Sequence, residues 1–276
     1  MEQTRKTPII VRGAGDISTG TIHRLMSAGF SVLALESERP SAIRRLVAFS
    51  EAVYDGKATV EGITAVKAET IEEALNLCEA GQLPVLVDPK GSAIEALHPD
   101  IVVDAILAKR NLGTRMDMAD LTIALGPGFA AGKDVHYVIE TMRGHDLGRI
   151  IREGYALANT GVPGMIAGYG KERVIRSPAG GVFFGFKKIG ERVSAEEKIG
   201  VVKNGRGLTP VCTVIPGILR GVIRDEFPVT KGFKLADVDP REEELKNCGT
   251  ISDKARCIAG SVLELVCSYY MQEQTA

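Results

Sequence analysis

The chain has 276 residues, long enough for about two domains that each close a core, which excludes a peptide or a stapled mini-protein. Its 34 Lys and Arg against 35 Asp and Glu leave a net charge of −1, so no global field favours nucleic acid or an anionic membrane. With 45% apolar and 25% charged residues the composition is that of a folded domain, and 31 Gly with no Trp favour close backbone approaches over aromatic stacking platforms.

The polar start MEQTRKTP leads directly into an apolar strand, and no apolar run reaches the ~18 residues of a span, so neither a signal peptide nor a membrane helix is expected. Pro8-Ile9-Ile10-Val11 reads as a strand buried on both faces, and it empties into Gly13-Ala14-Gly15-Asp16-Ile17-Ser18-Thr19-Gly20. Ile22, Leu25 and Met26 follow at helical spacing, Gly29 stops the helix, and Ser31 to Glu36 forms a second strand. Further strands are expected at Leu83 to Val87, Ile101 to Ile106, Leu121 to Leu125 and Val135 to Ile139, with a helix on Ile71, Ala74, Leu75 and Cys78. This alternation predicts an α/β fold, a Rossmann-like, mostly parallel sheet over residues 1–165.

The turn-rich stretch Asn159-Thr160-Gly161-Val162-Pro163-Gly164 marks a boundary. Beyond it a shift of 36 residues lays Ser177–Val202 on Thr213–Val238 without a gap, placing Gly181 on Gly217, Val182 on Ile218, Gly185 on Gly221, Phe186 on Val222, Val193 on Val229 and Ile199 on Leu235. Each copy reads strand, turn, strand, turn, strand. The repeat resembles the biotinyl/lipoyl-type barrel-sandwich hybrid and predicts a small β domain over 172–240. The joining segment Lys203-Asn204-Gly205-Arg206-Gly207 lacks a Met-Lys-Met-like tip, so no covalent biotin or lipoate is expected. Residues 241–276 are expected to form a C-terminal segment that enters a helix at Ser252-Asp253, with Ile258, Val262, Leu263, Val266 and Tyr270 on the face that packs back on the first domain.

The five cysteines form no C-x-x-C pair, which fits a reducing cytoplasm; Cys257 and Cys267 read as core residues, and Cys248 sits before a turn.

Three clusters carry candidate chemistry. In the first, Arg12, Gly13, Gly15, Asp16 and Ser18 form a degenerate phosphate-binding turn at a helix N-terminus, with Glu36 placed 21 residues after Gly15 to meet a ribose. Ser18 stands where the third glycine is wanted, and Asp16 puts a negative charge in the turn, so a Rossmann-like turn without a ligand stays open. In the second, Asp104, Lys109, Arg110 and Asn111 follow a strand end and suit a phosphate or carboxylate clamp. In the third, Gly126 and Gly128 form a rigid loop, and Glu140, Arg143 and His145 make a polar wall after the next strand. The spacing of His136, Glu140 and His145 fits no metal motif, so no metal is expected; His23 and His98 read as structural or exposed. No nucleophile elbow, P-loop or zinc-protease helix occurs, and the catalytic set is unknown.

Several blocks match one family in order along the chain. Val11-Arg12-Gly13-Ala14-Gly15-Asp16, Ile43-Arg44-Arg45-Leu46-Val47-Ala48-Phe49-Ser50-Glu51-Ala52-Val53-Tyr54 and Val103-Asp104-Ala105-Ile106-Leu107-Ala108-Lys109-Arg110-Asn111 resemble the YqeB family of selenium-dependent molybdenum hydroxylase system proteins. So do Leu125-Gly126-Pro127-Gly128-Phe129, Ile139-Glu140-Thr141 with Arg143-Gly144-His145, and Ile251-Ser252-Asp253-Lys254-Ala255-Arg256. The first domain is also similar to xanthine dehydrogenase accessory factors. The resemblance implies an accessory or maturation role handling molybdopterin or its selenium or sulfur ligand, and it supplies no reaction. The expected partner is a molybdenum hydroxylase, in the cytoplasm, with no nucleic acid and no membrane, and homo-oligomerisation open. Two alternatives accompany this reading. One is an NAD(P)-dependent oxidoreductase with Glu36 on the ribose and Asp104 or His145 as proton donor; the other treats the β domain as a docking module.

Overall fold

The computed structural model describes residues 7–161 and 163–273. The polar segment MEQTRK, Val162 of the expected boundary and residues 274–276 lie outside the described residues. Two compact units emerge. One comprises the chain up to Pro40, Ala48–Asn159 and the stretch from Ile251 onward; the other comprises Ser41–Val47 and Thr160–Thr250. The change of unit at Asn159 lies inside the turn-rich stretch, whereas no sequence signal announced that Ser41–Val47 belongs with the second unit.

The first unit holds β1 (Ile9–Arg12), α1 (Asp16–Ser27), β2 (Val32–Glu36), α2 (Ala52–Asp55), β3 (Lys57–Val60), β4 (Ile63–Ala68), α3 (Ile71–Glu79), β5 (Leu83–Val87), α4 (Ser92–Leu97), β6 (Ile101–Asp104) and β7 (Leu121–Leu125). It continues through β8 (Ala130–Ala131), β9 (Tyr137–Ile139), β10 (Ile150–Ile151) and β11 (Gly154–Tyr155) to the final helix, α5 (Asp253–Glu273). Among the described residues nine strands form one sheet in the order β10-β9-β7-β6-β1-β2-β5-β4-β3. Its interior pairs are parallel, and β10 and β3 join antiparallel at the two edges. The expected Rossmann-like sheet is present. Its central strands are the continuous apolar runs of the sequence, and Ile10, Val11, Leu33, Val102 and Ile123 have no exposed surface.

Local chemistry ends the helices where the sequence places the signals. After α1, Gly29 takes φ +91, Gly29 N–H donates to Met26 O at 2.9 Å and Phe30 N–H to Leu25 O at 3.1 Å, a glycine-terminated C-cap. At α3, Thr70 Oγ1 accepts from Glu73 N–H at 3.1 Å, and the Glu73 carboxylate accepts from Glu69 N–H at 2.9 Å. α5 packs along α1 and buries Ala255, Ile258, Ala259, Val262, Leu265 and Val266, so Leu265 rather than Leu263 stands on the buried face. Gly20 permits this approach, since a Cβ there would lie 2.7 Å from Ala255 Cβ. Cys257, expected in the core, is exposed, and its Sγ donates to Leu147 O at 3.3 Å on the neighbouring loop. Among the described residues no helix is long and apolar enough to cross a membrane.

The second unit holds β12 (Val174–Arg176), β13 (Gly181–Gly185), β14 (Arg192–Val193), β15 (Lys198–Asn204), β16 (Gly207–Cys212), β17 (Gly217–Val222), β18 (Phe227–Val229) and β19 (Lys234–Asp239). They form two four-stranded antiparallel sheets, β12-β19-β17-β14 and β16-β15-β13-β18. Replacing each strand by its repeat counterpart turns one order into the other. Each copy therefore has four strands rather than the expected three, the additional pair being β12 and β16. Even the irregularity between Ile175 and Arg176 on β12–β19 recurs between Lys198 and Gly200 on β15–β16. Gly181 (φ +155) and Gly217 (φ +152) are equivalent too: a Cβ on either would lie 2.3 Å from a carbonyl oxygen, of Lys203 and of Asp239 respectively.

The gapless match fails at one point. A bulge at Arg220 shifts the register between Leu219 and Gly221, so Gly221 faces Asp237 and corresponds to Phe184, which faces Val201, rather than to Gly185. Both sheets bury one core that includes Phe183, Ile199, Val202, Leu219, Leu235 and Val238. Each such side chain contributes about 1.5–3 kcal/mol of burial.

Candidate active site at the strand-end cleft

In the nine-stranded sheet β1 lies between β2 and β6. The chain leaves β1 toward β2 and later returns on the opposite side as β6, so the strand order reverses at this pair, the place where open α/β sheets bind ligands. Gly13 N–H donates to Leu35 O at 2.7 Å and Ala105 N–H to Arg12 O at 2.8 Å, which extends the ladder into both loops. Gly13 has φ +97, and a Cβ would sit 2.9 Å from Ala105 O, so the first two clusters are in backbone contact.

The glycine turn is largely satisfied from within. Ala14 N–H donates to Glu36 Oε2 at 2.9 Å, Glu36 Oε1 accepts from Ser37 N–H at 2.7 Å, and Asp16 Oδ1 accepts from Ile17 N–H at 2.8 Å. Two amides that could face a pyrophosphate thus have carboxylate acceptors, and the Asp16 charge meets the positive end of α1. Ser18 Oγ donates to Gly13 O, using the place of the third glycine for a hydroxyl latch. Ala14 O accepts from Ser50 N–H at 2.8 Å. Gly15 is different: a Cβ there would meet nothing within 4 Å, so the turn opens to free space at that residue.

Arg12 is buried, as are Asp104 and Thr114. The guanidinium donates from Nη1 to Thr114 Oγ1, Thr114 Oγ1 donates onward to Asp104 Oδ2 at 2.5 Å, and Arg12 Nη1 lies 3.7 Å from Asp104 Oδ2. Arg12 Nη2 also donates to Pro89 O at 3.4 Å. Burial pushes the Asp104 carboxyl above the ordinary range, against the opposing pull of Thr114 and Arg12. Thr114 was not assigned from sequence. Its signal is the Asx turn, in which Asn111 Oδ1 accepts from Gly113 and Thr114 N–H at 2.8 Å each.

Lys109 and Arg110 are exposed on the same loop. Leu107 and Lys109 hold φ +60 and +63, unusual for residues with side chains and a form of strain that collects at ligand sites. Gly128 (φ +112) packs against this loop so closely that a Cβ would lie 2.6 Å from Arg110 Cα, which joins the second and third clusters. Gly126 (φ +82) approaches Thr141, whose Oγ1 would be 2.6 Å from a Cβ.

The remaining expected residues take other roles. Glu140 is buried, accepting from Met142 N–H at 2.6 Å through Oε1 and from Leu157 N–H at 2.7 Å through Oε2, so it ties two loops rather than facing solvent as a wall. Arg143 forms a two-pronged pair with Asp253 at 2.8 Å on each prong, and His145 is exposed on the loop. His136 Nδ1 accepts from Thr122 N–H at 3.0 Å, and burial lowers its pKa. Among the described residues no group of three or more His, Cys, Asp or Glu could hold a metal. Cys248 is buried in the second unit, and burial raises its thiol pKa despite the nearby charges of Arg220 and Arg44.

Fold and site together define a Rossmann-like unit with a strand-end cleft, joined in the chain to a duplicated β module. No family model matches the sequence. The chain is a homologue of Uncharacterized protein YqeB of Escherichia coli strain K12, with 51% identity over 256 residues, 93% of this chain and 46% of that protein. It thus spans less than half the length of the curated relative it matches. A succinylglutamate desuccinylase/aspartoacylase from Rhodobacter sphaeroides aligns at 12% identity over 80% of this chain and 62% of that one, with a TM-score of 0.26. An aspartoacylase family protein from Mesorhizobium loti aligns at 11% identity over 86% of this chain and 87% of that one, with a TM-score of 0.28. At these values the structural likenesses carry no argument.

Proposed function

We propose that the first unit binds a phosphate-bearing cofactor, molybdopterin or a nucleotide, at the C-terminal ends of β1, β6 and β7, and that the chain serves as an accessory or maturation factor for a selenium-dependent molybdenum hydroxylase. The observation that carries the binding reading is the convergence of three loops at the reversal of strand order, with Gly15 facing open space and Lys109 and Arg110 exposed on a strained loop. The maturation role rests on the sequence blocks that resemble the YqeB family; the homology to YqeB supports that resemblance.

A phosphate fits these residues by charge. Lys109 and Arg110 would hold it, while Arg12 is spent on Thr114 and Asp104. Asp16 and Glu36 already occupy the amides of the glycine turn, which disfavours a pyrophosphate laid along α1 and so favours this reading over a nicotinamide-dependent oxidoreductase. The test is a thermal shift of the intact chain with molybdopterin, AMP, CTP, NAD and NADP, repeated on Lys109→Ala and Arg110→Ala. A ligand that binds the folded state raises the midpoint by mass action. A rise with molybdopterin or a mononucleotide that both variants abolish supports the proposal. A rise confined to NAD or NADP and untouched by the variants moves the reading to an oxidoreductase, and no rise with any of them removes the binding claim.

A further inference from the structure

On the first unit, where α1 meets α5, a cavity of about 120 Å3 is lined by Gly20, His23, Arg24, Ser27, Ile251 and Arg256. None of these residues is acidic. The wall is built rather than incidental: Glu61, held at φ +44 in the β3–β4 turn, accepts from Ile251 N–H at 2.8 Å and from Arg256 Nη2 at 2.6 and 2.7 Å. One carboxylate therefore fixes both the entry to α5 and the direction of the Arg256 guanidinium. His23 is oriented by the same turn, its Nε2 lying 3.2 Å from Glu61 O and its Nδ1 3.4 Å from Ser27 Oγ. The Arg24 guanidinium has no side-chain partner among the described residues. With Glu61 neutralised by Arg256, Arg24 leaves the cavity with one uncompensated positive charge, near the N-terminal end of the 21-residue helix α5.

We propose that this cavity is an anion site, distinct from the strand-end cleft, that takes inorganic phosphate or the phosphate end of a phosphomonoester. The volume admits one phosphate with a water or two, a water taking about 30 Å3. Arg24 and Arg256 supply the charge-assisted donors from two helices, and the Ser27 hydroxyl a neutral one.

The test is a calorimetric and 31P NMR titration of the intact chain with inorganic phosphate at constant ionic strength, then with glycerol 3-phosphate. Arg24→Gln, Ser27→Asp and Lys109→Gln are compared with the parent, and thermal melts verify that each is folded. Expected is saturable binding of one phosphate at this cavity, counted apart from any held at the strand-end cleft, that Arg24→Gln weakens by about tenfold. Ser27→Asp abolishes it by placing a carboxylate in the cavity, whereas Lys109→Gln removes only phosphate held at the strand-end cleft. Competition by glycerol 3-phosphate identifies the phosphomonoester as the source, and binding of phosphate alone identifies the free ion. Absence of saturation, or a loss caused by Lys109→Gln instead of Arg24→Gln, overturns the proposal. The Lys109 variant also separates this site from the cleft.

Discussion

At the scale of single residues the cleft is a set of carboxylates that differ in what surrounds them. Glu140 is held by amides of two loops, and Glu140→Gln keeps one acceptor while turning an N–H donor toward the other amide. That change is expected to destabilise the first unit by about 2 kcal/mol, read as a lower urea midpoint at constant slope. Asp104 and Asp239 titrate in opposite directions. Burial raises Asp104. For Asp239, fully buried in the second unit, burial alone would raise the pKa, but hydrogen bonds from Arg241 with the charges of Arg241 and Arg220 outweigh it and hold the carboxyl below the ordinary range. Asp239 therefore contributes stability that is present above the ordinary carboxylate pKa of about 3.9 and is lost as pH falls through its folded value. Asp104 instead costs stability as pH rises from that same ordinary value toward its raised one. Asp239→Asn should flatten the acid limb of stability against pH, and Asp104→Asn should remove the decline just above the carboxylate range; unchanged slopes would contradict both assignments. Sequence placed Arg12 and Asp104 near a ligand because both end strands at the cleft. It did not reveal that Thr114, 102 residues after Arg12, stands between them and withdraws the arginine from the surface.

At the scale of elements, legibility followed burial. Leu83–Val87 and Leu121–Leu125 coincide with β5 and β7 because strands buried on both faces are written as unbroken apolar runs. The β3–β4 hairpin escaped notice, since as an edge pair it mixes Lys57, Thr59, Thr64 and Lys67 with its apolar residues. The duplicated β module was legible through its period, and the bulge at Arg220 was not, because a later compensating residue restores the shift of 36 before Val229. That bulge matters for the segment Ser41–Val47. Val222 N–H donates to Ile43 O at 2.9 Å, Arg45 Nε donates to Val222 O at 2.9 Å, and Arg44 Nη2 donates to Thr250 O at 3.1 Å. A Cβ on Gly221 would lie 2.9 Å from Ile43 O. Gly221→Val is therefore expected to release the segment at a cost of about 1–3 kcal/mol. Hydrogen exchange by mass spectrometry should show protection lost over 41–47 and kept in Lys198–Asn204; full protection over 41–47 would mean that this packing does not hold the segment.

At the scale of the whole molecule, the chain passes between the two units at four places, and the first unit is assembled from three stretches of sequence. The turn-rich boundary near residue 160 was readable from composition, but membership of Ser41–Val47 was not, because recruitment of a loop by a distant sheet leaves no periodicity behind. The last stretch completes the first unit: α5 covers the side of α1 where Gly20 meets Ala255, and Tyr270 stacks on Phe30 with ring centroids 5.6 Å apart. Truncation after Thr250 is expected to uncover the face of α1 around Gly20 and to yield an aggregating or unfolded first unit, measured as lost solubility and near-ultraviolet dichroism. A truncated chain that still melts cooperatively at the parent temperature would refute this dependence.

The pairing of α1 with α5 also sets a timetable during synthesis. α1 leaves the ribosome well before its covering helix, which is more than 220 residues downstream, a wait on the order of ten seconds or longer at about 5–20 residues per second. In that interval the duplicated sheets can close, while the face of α1 that meets Ala255 at Gly20 stays open to solvent. The face of α1 that awaits α5 is thus among the last parts of the first unit to be covered, on the helix that begins beside the glycine turn.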